Sequence, residues 1–462
     1  MLKQISWSRW PLALLGGSAL WFLYFFGLTR TGLLGPDEPR YAAIGRAMAQ
    51  TGDWITPRLW GHPWFEKPAL LYWMTAAGFK AGLGVELAPR LPVALASVAF
   101  LIYFFFALRS QFGQRPALFA TLILATTVGW LALSHVATPD LPMSAAFSAA
   151  MLMLLPAPAV SARRTVMSGL LLGLAILAKG LVPLVLFIPA LWFLRRQVRA
   201  LLTVLGVAAA VAAPWYTLVA ARNGAAFADE FFGHQQFARF VSGEILHIQP
   251  FWFYLPVLAA GLFPWTPLAL LLFSKKLYQD RRTTFLAAWF AFGFVFFSAS
   301  RGKLPGYLLP LFPPLAALLG IAIDRVRVRS AFFICLLAVS AALLCVLPSA
   351  QDALPDALVY GLSRAPIHFS TAWLAPVLIL ASICVLVELR QERVMAFALI
   401  ALLYTALIAR FIWQDFPVLD RAVSARVRWT TSSESISCIP QDGAFWRNSL
   451  NYYAGRELPD CN

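Results

Sequence analysis

Two adjacent carboxylates, Asp37 and Glu38, stand in Gly35-Pro36-Asp37-Glu38-Pro39-Arg40-Tyr41, within the first polar loop after an apolar run. The flanking prolines restrict the backbone, as an acid that must be aimed at a reacting group requires. Such an acid can orient or deprotonate an incoming nucleophile. The bland alternative is structural: Asp37 can cap a helix beginning at Glu38, with Tyr41, Ile44 and Met48 along one apolar stripe. Asp140 repeats the design in Ala137-Thr138-Pro139-Asp140, and its type fits either a helix cap or a site-lining acid.

Cations accompany these acids. Arg40, Arg58, Lys67, Lys179, Arg239, Arg301 and Lys303 fall in the polar loops, or at the ends of the apolar runs, on the same side as Asp37 and Asp140. Each alone can snorkel to lipid headgroups. Together they suit an anionic amphiphile, whose phosphate Lys and Arg can hold while apolar helix walls and interfacial tyrosines hold its lipid. When a lipid phosphate leaves a sugar its negative charge grows, so fixed cations bind the transition state better than the ground state.

The elements that position these residues are membrane spans. The chain has 462 residues, 60% of them hydrophobic and 13% charged. About 20 apolar residues cross about 30 Å of hydrocarbon, and backbone satisfaction there demands helices. The hydropathy predicts thirteen, near 10–28, 90–108, 116–134, 141–155, 166–179, 181–194, 200–219, 251–273, 284–300, 308–323, 331–348, 371–388 and 394–413. Basic residues such as Arg195, Arg196, Lys275, Lys276, Arg281 and Arg282 crowd the loops on the opposite side from Asp37, which places the N-terminus in the cytoplasm and residues 414–462 outside. The net charge of +16 is thus a topology signal rather than a nucleic-acid-binding stripe. Two helices lying in the interfacial plane are expected in the first external loop, one after Asp37 and one from Pro68 to about Lys80. Residues 1–413 form one membrane domain, and 414–462 a short external tail too small to build its own core. An oxidising exterior favours a disulfide between Cys438 and Cys461 in that tail. Glu66 and His234 are a candidate zinc pair, since carboxylate and imidazole both suit that ion.

Gly35 to Tyr41, Gly52-Asp53-Trp54, Phe65-Glu66-Lys67-Pro68, Ala137 to Asp140, Lys179-Gly180, His234 to Phe240, Pro250 to Tyr254 and Lys303 to Pro310 together resemble the aminoarabinose transferases of lipid A. These sit in a wider group of polyprenyl-phosphate-sugar glycosyltransferases related to protein O-mannosyltransferases. The resemblance implies an all-α GT-C fold with about thirteen spans and an external cavity for undecaprenyl phosphate. It makes Asp37 and Asp140 the catalytic acids, and Lys67, Arg239 and Tyr307 the phosphate binders. Arg40, Tyr41 and Lys179 then line the cavity, and Glu66 with His234 holds a structural zinc; Arg58 and Lys303, cations on the same side, are taken as substrate-binding with them. The implied donor is a sugar on undecaprenyl phosphate, and the implied acceptor is lipid A or another envelope glycan or protein. Trp64 stands where the family tends to have a tyrosine, and the tail is shorter than the family's usual C-terminal domain. A lipid-sugar transporter is the rival from another class. Transporters place ionisable groups near the midplane and are built from repeats, whereas here the polar residues gather at one face and no repeat stands out.

Overall fold

The computed structural model describes residues 9–156, 160–231, 233, 248–325, 330–343, isolated positions between 353 and 386, 393–432, 436–439 and 446–461. Helices dominate: α1 (Arg9–Tyr24), α2 (Asp37–Thr51), α3 (Leu70–Lys80), α4 (Leu87–Phe112), α5 (Gln114–Thr126), α6 (Val128–Ser134), α7 (Asp140–Met153), α8 (Ala162–Lys179), α9 (Val182–Leu186), α10 (Ile188–Phe193) and α11 (Val198–Ala228). They continue as α12 (Tyr254–Gly261), α13 (Arg281–Ala299), α14 (Phe312–Arg325), α15 (Ser330–Leu343), α16 (Arg393–Gln414), α17 (Phe416–Val423), α18 (Ala425–Ser432) and α19 (Arg447–Ala454). Every expected span has a helical counterpart except 371–388, which lies outside the described residues apart from isolated positions.

By length and composition, Leu87–Phe112, Val198–Phe231, Arg281–Ala299, Pro305–Arg325 and Arg393–Gln414 are each able to cross a membrane. Two further candidates are bent pairs, α5 with α6 at 58° and Phe251–Gly261 with Thr266–Phe273 at 113°. This is a multi-pass membrane protein.

The helices α2 and α3 form as expected, joined by a small antiparallel hairpin of Arg58–Leu59 and His62–Pro63. One expectation fails. Asp37 is not the cap of α2: the helix includes it, Pro36 occupies the cap position with no side-chain bond, and the Asp37 carboxylate turns to Arg40 instead. At the other end Gly52 closes α2 at φ 73°, donating to the Met48 carbonyl. Glycine lets α2 and α3 pack closely, since a Cβ on Gly45 would run into the Thr75 side chain.

One buried ion pair fixes how these helices meet the spans. Arg90, in the first turn of α4, puts Nε and Nη2 on the two Glu38 oxygens, both at 2.7 Å. Its remaining N–H groups go to the carbonyls of Leu28 and Thr31 at 2.7 Å and Gly32 at 2.8 Å, so the whole guanidinium fork is used. Glu38 also accepts the backbone N–H of Leu34 at 2.6 Å and of Ala137 at 2.8 Å. Both side chains are almost wholly buried, a cost repaid only when every lone pair and proton is satisfied.

The tail docks on the same loop. Asp420 accepts from the Gly32 N–H at 2.6 Å and pairs with Arg426, which donates to the carbonyls of Thr29 and Arg30, both at 2.8 Å. Asn448 donates to the Pro36 carbonyl at 2.8 Å, one residue before Asp37. Cys438 and Cys461 are disulfide-bonded, closing a loop that a chain-entropy estimate values at about 3 kcal/mol. Contrary to expectation the tail gathers a small core of its own, from Ala425, Ile439, Trp446, Leu450 and Leu458.

Replacing Arg90 by Gln leaves Glu38 buried without its countercharge, for which we expect a loss of about 3–5 kcal/mol. Thermal or denaturant unfolding in detergent reads it, and a loss below about 1 kcal/mol would remove the pair from its organising role.

Candidate active site

Two acid–cation groups are connected to this anchor, one through Asp37 and the other through the loop that begins at Ala137. In the first, Arg40 reaches Asp37 at 2.7 Å and Glu66 at 2.8 Å, and Lys67 reaches Glu66 at 3.2 Å. The Tyr41 hydroxyl donates to Glu66 at 3.5 Å, and the Arg40 guanidinium lies 5.2 Å from the Tyr41 ring and 5.5 Å from the Trp64 ring. Glu66 is buried and Lys67 nearly so, but the Asp37 side chain is 47% exposed. Asp37 is therefore the carboxylate that a ligand can reach.

Electrostatics sort the roles within this group. Burial alone would lower the Arg40 pKa, but Glu66, Tyr41 and Asp37 outweigh it and hold the guanidinium above its ordinary value. Burial raises the Tyr41 and Tyr72 phenols well above the usual range, with Glu66 adding to the rise. Both phenols therefore stay protonated at neutral pH and are not bases.

The second group follows from helix order. α7 begins at Asp140 and its antiparallel neighbour α8 ends at Lys179, so a carboxylate at one helix's N-terminus meets an ammonium at the other's C-terminus, each favoured by its helix dipole. Lys179 donates to Asp140 and lies 4.3 Å above the Tyr307 ring. Gly306 brings the backbone beside Asp140, since a Cβ there would stand 3.4 Å from its Oδ1. Asp140 thus pairs rather than caps; no side-chain cap bond forms at α7. The groups are tied together through Glu38, which neighbours Asp37 in sequence and holds the Ala137 N–H at the start of the Asp140 loop.

Not every expected residue converges here. Lys303 is buried with its ammonium on the carbonyls of Gln249 and Ser300, where it ties two loops together. Arg58 sits on the hairpin, donating to the Gly61 carbonyl at 3.2 Å and lying 3.8 Å from Asp53. Arg239 and His234 lie outside the described residues. A zinc site finds no support: among the described residues no three metal-binding side chains cluster. The sequence reading missed Arg90. The signal was available, since it too is a cation at the end of a span on the side of Asp37.

Fold and site define the class, a mainly helical membrane protein of the GT-C architecture with two acid–cation groups joined through Glu38. Comparison with known proteins specifies it further. Residues 66–218 match the family described as dolichyl-phosphate-mannose-protein mannosyltransferase. The chain is 34% identical over 69% of its length to undecaprenyl phosphate-alpha-4-amino-4-deoxy-L-arabinose arabinosyl transferase 2 of Pseudomonas fluorescens, of which it spans 57%. It is 35% identical over 70% of its length to the arabinosyl transferase of Pseudomonas paraeruginosa, of which it spans 61%. The chain thus spans about three fifths of the length of these curated relatives. The crystal structure of ArnT from Cupriavidus metallidurans bound to undecaprenyl phosphate superposes with TM-score 0.77 and 26% identity, over 98% of this chain and 86% of that one. An archaeal oligosaccharyltransferase, AglB from Archaeoglobus fulgidus, shares the fold at 14% identity and TM-score 0.50. The resemblance drawn from the sequence, to aminoarabinose transferases, is borne out.

The two acids differ in what they hold together. Asp37→Asn, at a half-exposed position without a cap bond, should cost no more than about 1 kcal/mol of stability. Asp140→Asn, which strips the countercharge from a nearly buried Lys179, should cost about 1–3 kcal/mol. Equal losses in unfolding experiments would contradict this division.

Proposed function

We propose that the protein is a membrane glycosyltransferase that moves aminoarabinose from undecaprenyl phosphate to a periplasmic acceptor, lipid A. The observation that carries this reading is the accessible Asp37 carboxylate standing beside Arg40, Glu66 and Lys67, with a second acid–cation pair on a loop tied to the same anchor. The similarity to arabinosyl transferases supports it.

The two groups are charge-balanced: Asp37 and Glu66 against Arg40 and Lys67, then Asp140 against Lys179. An arriving donor phosphate competes with the carboxylates for those cations. As Arg40 and Lys67 turn to the phosphate, a carboxylate oxygen of Asp37 becomes available to the acceptor. The acceptor oxygen then attacks the anomeric carbon. A new C–O bond forms there, the bond from that carbon to the phosphate oxygen breaks, and the electron pair leaves on the phosphate. Its growing charge is met by Lys67, Arg40 and the Tyr307 hydroxyl, while Asp37 orients the acceptor or takes its proton. Lys179 holds Asp140 in place beside the Tyr307 ring. Arg239 completes the phosphate site in this reading. Residues 1–413 act as the membrane transferase domain and 414–462 as a periplasmic tail, with the N-terminus cytoplasmic.

Transfer assays with purified protein test the roles. Asp37→Asn should fold and bind undecaprenyl phosphate but lose about a hundredfold or more in turnover; near-normal turnover would reduce Asp37 to a surface ligand of Arg40. Lys67→Ala should weaken undecaprenyl phosphate binding about tenfold to a hundredfold, whereas Lys275→Ala should not. A membrane-impermeant label that reaches Lys275 in intact cells but misses the tail would reverse the orientation.

A further inference from the structure

Far along the chain from the acids, three arginines line a cavity of about 330 Å³ together with Trp192 and Phe193. They are Arg195 and Arg196, in the turn after α10, and Arg281, the first residue of α13. We propose that this cavity binds the phosphate headgroup of an anionic phospholipid.

The arginines are arranged but not neutralised. Arg281 is held against α10 by a 2.6 Å bond to the Phe193 carbonyl. Arg195 donates to the Trp192 carbonyl at 3.1 Å and lies 4.2 Å above that ring. Each of these bonds uses one of five guanidinium donors, and Arg196 gives none to the described residues. The nearest acid in sequence, Asp280, is turned away, accepting from Arg282 at 2.9 Å and facing Arg325 at 3.7 Å. Among the described residues no carboxylate pairs with Arg195, Arg196 or Arg281. Three converging guanidinium groups without a counter-ion call for an anion, and the fork geometry favours phosphate oxygens.

The surroundings point to a lipid rather than a soluble anion. Trp192, which lines the cavity, is 64% exposed, and aliphatic side chains near it in sequence are exposed too: Ile188 at 43%, one helical turn earlier on α10, and Val198 at 56% and Leu202 at 64%, one turn apart at the start of α11. A tryptophan at headgroup level near exposed aliphatic side chains is the pattern of a membrane interface, where acyl chains cover those side chains while the headgroup enters the basic cavity. The volume is at the small end of ligand sites, suited to a headgroup and not to a whole lipid. This site is independent of the glycosyl-transfer reading.

Delipidated protein titrated with phosphatidylglycerol or phosphatidylcholine, and read by native mass spectrometry, tests the proposal. The wild type should retain phosphatidylglycerol and release phosphatidylcholine, whose ammonium opposes the arginines. Arg195→Gln with Arg196→Gln should weaken phosphatidylglycerol binding about tenfold or more, at about fivefold per surface cation. Lys275→Gln with Lys276→Gln, on the segment leading into α13, should leave it unchanged. Arg196→Gln alone gives up no bond to the described residues, so it carries the test if the double variant unfolds. Equal losses in the arginine and lysine pairs, equal retention of the two lipids, or displacement of phosphatidylglycerol by millimolar inorganic phosphate would each overturn the proposal.

Discussion

The rest of this structure depends on the buried pair of Glu38 and Arg90. Burying two charges is tolerable only when both are fully coordinated, and here each is. Arg90 spends its donors on Glu38 and on the loop after α1, while Glu38 takes the N–H groups of Leu34 and Ala137. One carboxylate thereby joins three parts of the chain that are far apart in sequence: the loop entering α2, the start of α4 and the loop entering α7. Asp37 follows Pro36 on the first and Asp140 follows Pro139 on the third, so the anchor sets the placement of both acids. The tail reinforces the arrangement from outside, through Asn448 on Pro36 and Asp420 on Gly32.

Neighbouring acids thus have opposite jobs. Glu38 is sealed and rigid, whereas Asp37 is half-exposed and holds only Arg40 on its described side. A site that must receive a phosphate benefits from cations whose present partners are carboxylates. Exchange of one anion for another keeps the local charge tolerable during binding and leaves a carboxylate ready for the second substrate. The Asp140–Lys179 pair, seated on the Tyr307 ring, follows the same logic at the ends of two antiparallel helices.

Much of this was legible in the sequence. Hydropathy runs marked helices because hydrocarbon leaves them as the only open choice, and the pair of cysteines in the tail pointed to the Cys438–Cys461 bridge that the structure forms. Asp37, Arg40, Lys67, Asp140 and Lys179 stood out as charged residues in the loops or at span ends on one side, and the structure brings them into two groups. The pairing of Glu38 with Arg90 was not legible, because contact between residues 52 positions apart depends on how α3 packs against both α2 and α4. Asp37 looked like a cap for a local reason, its place before a helical stripe, but the tertiary claim of Arg40 on its carboxylate prevailed. Lys303 looked like a ligand for phosphate and instead serves carbonyls, a choice that spacing alone does not encode. The bends between α5 and α6 and after α12 were likewise hidden inside continuous apolar runs.

The most direct measurement of the central claim is a cryo-EM structure of the protein with undecaprenyl phosphate bound. The phosphate should sit against Lys67 and Arg40, with Arg40 drawn from Asp37, the Asp37 carboxylate facing the phosphate, and the Glu38–Arg90 pair unmoved. A phosphate lodged away from Lys67, with Arg40 still bridging Asp37 and Glu66, would contradict it.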